Sequence, residues 1–308
     1  MMTRDELKKA MADLNYIASD DVVDASYSAI CLRKPLLVDG PPGAGKTELA
    51  KTLAKITNST MIRMQCYHGL EPSDILYDVD REKIASYQNM LAEKIKKMVD
   101  GLTWEAAVEK MEKGKFFSNE DFIIKRTVYQ AIDPKDNRYK LLLIDEIDKA
   151  SEKIEALLLE TLAEFSMTIP ELGTIYADPR NHPLVVITAN KNRELGEPLR
   201  RRCIYLYIDY PSMETEINIL VNKCRVPQQF AKDAAQLVQD MRHNAGMKKP
   251  PSISEVIDWV NAMYYNYGIA QIHVAYWEAI IRTGSTLAKS HDDLIKFKDY
   301  MHHLVEGK

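Results

Sequence analysis

The chain is expected to fold as an α/β protein: a parallel sheet flanked by helices, followed by a small all-α domain. Three observations predict this. Residues 40 to 47 read Gly-Pro-Pro-Gly-Ala-Gly-Lys-Thr, a glycine-rich loop set between an apolar run and a helical pattern. Two further apolar runs, Lys140–Ile144 and Pro183–Ala189, end in polar residues, as buried strands do at the carboxyl edge of a parallel sheet. Beyond residue 210 the apolar spacing becomes that of helices.

Residues 5 to about 31 read as helical and pack beside the loop. Pro35-Leu36-Leu37-Val38-Asp39 is a buried strand. Glu48 to Ile56 is a helix, with Leu49, Leu53 and Ile56 at helical spacing. Strand, glycine turn and helix in that order make residues 40–47 a phosphate-binding loop, G-x-x-x-x-G-K-T. Its glycines let backbone N–H groups converge on phosphate oxygens, and the helix N-terminus adds partial positive charge. ATP binding then falls on Gly40, Pro41, Pro42, Gly43, Ala44, Gly45, Lys46, Thr47 and Glu48. Lys46 reaches the β- and γ-phosphates, and the Thr47 hydroxyl is a ligand for Mg2+. Val22 and Val23 either line an adenine pocket or pack as ordinary core.

The run Lys140-Leu141-Leu142-Leu143-Ile144 ends in Asp145-Glu146. Asp145 is suited to hold Mg2+, and Glu146 to orient and deprotonate the attacking water. Alone, this reads equally as a strand and a solvated acidic turn; the phosphate loop upstream decides. Asn190 closes the third run, where its amide can contact the γ-phosphate or position the water. Arg200-Arg201-Arg202 precede another short apolar strand. Taken alone, three arginines read as a surface patch. Presented at a domain edge, one of them can stabilise charge on the γ-phosphate of a neighbouring subunit.

Tyr210-Pro211-Ser212 is a natural linker. It divides a nucleotide-binding core, residues 1–210, from a helical lid, residues 211–308. In the lid Phe230, Ala234, Leu237, Val238 and Met241 share one helix face. Ser252 and Glu255 form a capping-box signature. Val256, Ile257, Val260 and Tyr264 then form an apolar face before Gly268. Leu294, Phe297, Met301 and Leu304 mark a last helix. Trp259, Tyr264, Tyr265 and Trp277 read as core. Two insertions interrupt the first domain. Residues 67–118 carry charged helical stretches at Arg81–Val99 and Thr103–Gly114. Residues 167–182, with Glu171, read as a hairpin turning near Asp178-Pro179.

Lys and Arg total 41 against 45 Asp and Glu, a slightly acidic balance that argues against a dedicated nucleic-acid binder. No stretch of about 18 apolar residues predicts a membrane span. The N-terminal residues do not read as a signal peptide. The four cysteines are scattered with no C-x-x-C, and the seven histidines form no H-E-x-x-H, so neither a disulfide framework nor a zinc site is expected. A reducing cytoplasm is the natural setting.

Together these elements resemble the AAA+ ATPases. Met64-Gln65-Cys66-Tyr67-His68-Gly69-Leu70, Phe122–Arg126, Thr188–Leu195, Leu199–Cys203 and Pro251–Trp259 resemble the MoxR branch. The likeness is to its cluster with CbbQ, NorQ and CoxD-type proteins. The resemblance runs from about residue 20 to about residue 295. It implies an AAA+ core with a helical lid, Asp145 and Glu146 as the Walker B pair, and Asn190 as sensor 1. The arginine finger falls on Arg202, with Arg201 second. Ser254 stands where many relatives carry a sensor 2 arginine, so lid contact with the nucleotide must come from elsewhere or be weaker. The resemblance also implies a homo-oligomeric ring, hexameric in the family, whose insertions face the axial channel rather than merely decorating the surface. A separate partner with a von Willebrand factor A (VWA) domain and a protein client, remodelled or loaded with metal, would complete the system. The alternatives are a nucleic-acid-linked motor of the McrB type and a nucleotide-switched module that hydrolyses poorly.

Overall fold

A computed structural model gives the fold and describes residues 2–99, 103, 119–170, 172–190, 193–272 and 276–306. Most of the helical stretch expected over Thr103–Gly114, and Glu171 of the hairpin, lie outside the described residues.

The stretch expected to be helical, residues 5 to about 31, holds two helices, α1 (Arg4–Asp13) and α2 (Asp20–Leu32). Each starts at its own N-cap. Thr3 and Glu6 form a capping box at α1. Ser19, followed by Asp20 and Asp21, accepts from the Val22 N–H and starts α2 afresh.

The sheet consists of β1 (Leu36–Asp39), β2 (Thr60–Gln65), β5 (Lys140–Asp145), β8 (Leu184–Ala189) and β9 (Ile204–Tyr207). Its order is β2-β5-β8-β1-β9, all parallel. Strand alternation sends Leu37, Leu142 and Ile144 to one face, where α6 (Thr127–Ile132) and α7 (Glu152–Glu164) cover them. Leu36, Val38, Leu141 and Leu143 point to the other, under α1, α2 and α3 (Lys46–Ile56). Val22 and Val23 belong to this second core and pack with Leu7, Leu49 and Leu53.

After β2 come α4 (Pro72–Ile75), β3 (Tyr77–Val79) and α5 (Arg81–Val99), the last a helix over the stretch expected. β3 pairs antiparallel with β4 (Ile123–Lys125). The hairpin is formed by β6 (Ser166–Ile169) and β7 (Gly173–Tyr176). Its turn falls between the paired residues Ile169 and Gly173, not near Asp178-Pro179. Pro170 lacks the N–H that would extend the ladder, and Gly173 takes the positive φ of 80° that closes a three-residue loop. Asp178 instead closes a local turn, accepting at its carbonyl from the Asn181 N–H at 2.8 Å.

Beyond α8 (Glu197–Arg202) and β9 the chain is helical: α9 (Met213–Cys224), α10 (Gln228–Asn244), α11 (Ile253–Ile272, broken at Gly268), α12 (Tyr276–Thr283) and α13 (His291–Glu306). Their own core holds Val238, Met241, Val256, Trp259, Met263 and Phe297. The Trp259 indole donates to Thr283 Oγ1 at 3.0 Å. Tyr264 and Tyr265, expected in this core, are 42% and 83% exposed. Val256, Val260 and Met263 define the buried face of α11, and one residue further at about 100° per step turns Tyr264 off it. No described helix is long and apolar enough to cross a membrane.

Candidate functional site

The site forms where strand order reverses. The chain leaves β1 outward to β2, returns through β5 and β8, and reaches β1 again from the other side. The carboxyl ends of β1, β5 and β8 therefore converge. They bring together the loop at 40–47, the pair Asp145-Glu146 and Asn190, which are remote in sequence.

The loop's glycines are needed for two reasons. Gly43 and Gly45 have φ of 73° and 94°, strained for any other residue. At Gly40 a Cβ would lie 1.9 Å from the carbonyl oxygen of Ile208, so the chain leaving β9 also dictates that glycine. Gly45 caps α3 without a side chain, leaving the first-turn N–H groups open to an anion. Lys46 is buried and donates to the carbonyls of Gly40 and Pro41 at 2.7 and 2.8 Å. Burial lowers its pKa, against the pull of Asp39, Asp148, Asp145 and Glu146. An ammonium held by loop carbonyls and short of full solvation is ready for a polyphosphate.

Asp145 is buried beneath the loop, and Thr47 Oγ1 stands 3.4 Å from its Oδ1. A hydroxyl and a carboxylate are the hard oxygen donors that Mg2+ takes, so these residues fit the metal. Thr188 donates to Asp145 Oδ1 at 2.5 Å, and its oxygen accepts the Glu146 N–H at 2.9 Å. One hydroxyl on β8 thus positions both acids. Glu146 sits in the left-handed region, φ 59° and ψ 50°, which turns it out of the strand direction at the edge. Its carboxylate accepts from Asn190 Nδ2 at 3.1 Å, Gln65 Nε2 at 2.9 Å and Lys149 Nζ at 2.6 Å. The contact with Glu146 raises the pKa of Lys149.

Sequence reasoning missed Arg63, Gln65, Lys149 and Thr188. Gln65 pairs in register with Asp145, and Ile187 with Ile144, which puts Thr188 beside the acids. Only Lys149, three residues after Glu146, stood at a spacing that could have revealed it.

Among the described residues, the C-terminal helical segment meets the loop through a serine. Ser254 is exposed, but Ser252 is buried, and a Cβ on Gly43 would come within 2.3 Å of its Cβ and Oγ. Half of the expected capping box is present, the Ser252 N–H donating to Glu255 at 2.7 Å. Arg242 fixes this segment. It donates to the Pro251 carbonyl at 2.8 Å, forms a bidentate pair with buried Glu216 at 2.8 and 2.9 Å, and lies over the Tyr210 ring. Glu48 meets Lys223 of α9 at 3.4 Å.

Arg202 and Arg201 are not at this edge. β1 and β9 run parallel with Leu36 opposite Ile204, so Arg202 lies at the amino edge while the loop leaves from the carboxyl edge. Four strand residues separate the edges by roughly 13 Å. Arg202 donates to the Leu159 carbonyl at 2.9 Å, and Arg201 pairs with Glu197. Both line one cleft with Arg33 and Lys34.

The profile of the AAA domain (dynein-related subfamily) matches residues 35–203, more than half of the 308-residue chain. The chain belongs to this family, and the matched span encloses Gly40–Thr47, Asp145, Glu146, Asn190 and Arg202. An uncharacterised protein of Staphylococcus saprophyticus is 39% identical over 67 residues, which is 21% of this chain and 26% of that protein. The match thus spans about a quarter of that relative's length. A crystal structure of a "putative ATPase" from Cytophaga hutchinsonii is similar with a TM-score of 0.46 and 15% identity. The likeness covers 99% of this chain and 91% of that one.

Proposed function

We propose that this chain hydrolyses ATP with Mg2+ at interfaces between its own copies, in a hexameric ring of the MoxR type. Gly40 to Glu48 would bind the nucleotide, and Thr47 and Asp145 the metal. Glu146 would activate water, with Asn190 positioning it. Arg202, with Arg201 second, would complete the site of the next copy. The observation that carries this reading is the separation of the two halves. A chain whose Glu146 and Arg202 stand at opposite edges of one sheet cannot bring both to one nucleotide. Stacked copies can. Arg33 and Lys34 beside Arg202 add positive charge on the face that would meet the neighbour's phosphates.

Hydrolysis would move the core, residues 1–210, against the lid, residues 211–308, about Tyr210-Pro211-Ser212. Arg242 and Ser252 link that joint to the phosphate loop. The insertions at 67–118 and 167–182 would carry the motion to a protein client, with a VWA-domain partner, in remodelling or metal loading. The hairpin Ser166–Tyr176 has no lysine or arginine, which supports a protein client over a nucleic acid.

The test mixes two defective subunits. Arg202→Ala and Glu146→Gln should each be nearly inactive alone, since a trans arginine is worth ~10³–10⁵ in rate in related systems. Mixed, they should regain ATPase activity, because one subunit supplies Glu146 and its neighbour Arg202. Full turnover by Arg202→Ala alone at every concentration would overturn the interface reading.

A further inference from the structure

Arg63 lies on the edge strand β2, two residues before Gln65. Its Nε and Nη2 donate to Asp145 Oδ2 at 3.1 and 2.6 Å, and Nη2 also donates to Gln65 Oε1 at 2.8 Å. Thr188 takes the other oxygen of Asp145. The buried carboxylate is therefore committed on both oxygens, one of them to a full positive charge. A magnesium ion needs an oxygen lone pair at about 2.0–2.1 Å and repels a guanidinium that shares it. The two cations compete for Asp145. The Arg63 side chain is 51% exposed against 5% for Asp145, so the arginine can swing into solvent while the carboxylate stays.

We propose that Arg63 is the counter-ion of the metal-free site, and that Mg2+ must displace it from Asp145. The proposal rests on Thr47 and Asp145 as the metal-holding pair. It has two consequences of opposite sign. Without metal, Arg63 neutralises Asp145 and so favours the binding of free ATP, which Asp145 would otherwise repel. With metal, displacing Arg63 costs part of the affinity for Mg-ATP. Arg63 therefore narrows the difference between the two affinities.

The test measures binding, not turnover. A fluorescent, non-hydrolysable ATP analogue is titrated into the full chain in excess Mg2+ and again in EDTA. The ratio of the two dissociation constants is the readout. Loss of this half-exposed, charge-assisted contact, in which two Arg63 donors share one oxygen, should widen that ratio about tenfold in Arg63→Met. Arg63→Lys should fall between Met and wild type. With Asp145→Asn in place, Arg63→Met should leave the ratio unmoved, since the competition then has no object. An unchanged or smaller ratio in Arg63→Met overturns the proposal while the metal pair stands. A wild-type ratio of one overturns the metal pair itself, and the proposal with it.

Discussion

Gly43→Ala tests whether the lid bears directly on the phosphate loop. Two costs add. At φ 73° a Cβ carries the left-handed strain of about 1–2 kcal/mol. The same Cβ would stand 2.3 Å from Ser252 Cβ and Oγ. Those atoms cannot swing aside freely, because Ser252 is buried at the start of α11 and Arg242 holds the preceding carbonyl. Overpacking of this kind costs about 1–3 kcal/mol. The total is about 2–5 kcal/mol. Ser252→Gly removes both clashing atoms and leaves only Ser252 Cα at 3.7 Å, an ordinary contact. At a helix start that change alone costs only a few tenths of a kcal/mol. The double variant should therefore keep the strain and lose the clash, a coupling of about 1–3 kcal/mol. Urea denaturation of the four proteins, followed by far-ultraviolet circular dichroism, measures it. If Gly43→Ala costs as much in the Ser252→Gly background as in the wild type, the lid does not rest on the loop and the reasoning fails.

Two further outcomes follow. Thr188→Val leaves the Glu146 N–H without its acceptor and Asp145 without one donor, a loss of about 1–3 kcal/mol of stability. ATP hydrolysis should fall much further than nucleotide affinity, because both acids lose their alignment while the loop is untouched; paired turnover and binding assays read the split. The His182 ring lies tilted against Phe165, and burial, then Arg33, lowers its pKa below 6.5. Its neutral form is the folded one. The unfolded chain takes up the proton first as pH falls, so this stability is full above the ordinary histidine value and is lost as pH falls through the folded value. His182→Gln should flatten the decline in stability between about pH 7 and 5, read as urea midpoints across that range.

Much of the candidate site was legible because its chemistry is written in consecutive residues. Eight positions in a row define the phosphate loop, and Asp145-Glu146 and Asn190 each terminate a recognisable apolar run. What was not legible involves pairs brought together from afar. Arg63 meets Asp145 across 82 positions, and Thr188 meets it across 43. No local signal marks such a pair, because it depends on β2 and β8 lying on either side of β5. Tyr264 was misplaced for a related reason. Its spacing fits a helix face, but which face is buried depends on where α10 and α13 pack.

The sequence by itself determined the parallel α/β core, its helical sequel and the phosphate loop. Those follow from uninterrupted apolar runs, from the 3.6-residue period of helices and from backbone conformations that only glycine takes easily. The tertiary structure alone decided that Arg202 stands at the opposite sheet edge from Glu146, that Ser252 rather than Ser254 meets the loop, and that Arg63 occupies the carboxylate of Asp145. Strand order and register decide these, and they are set by the packing of the whole chain rather than by any one segment.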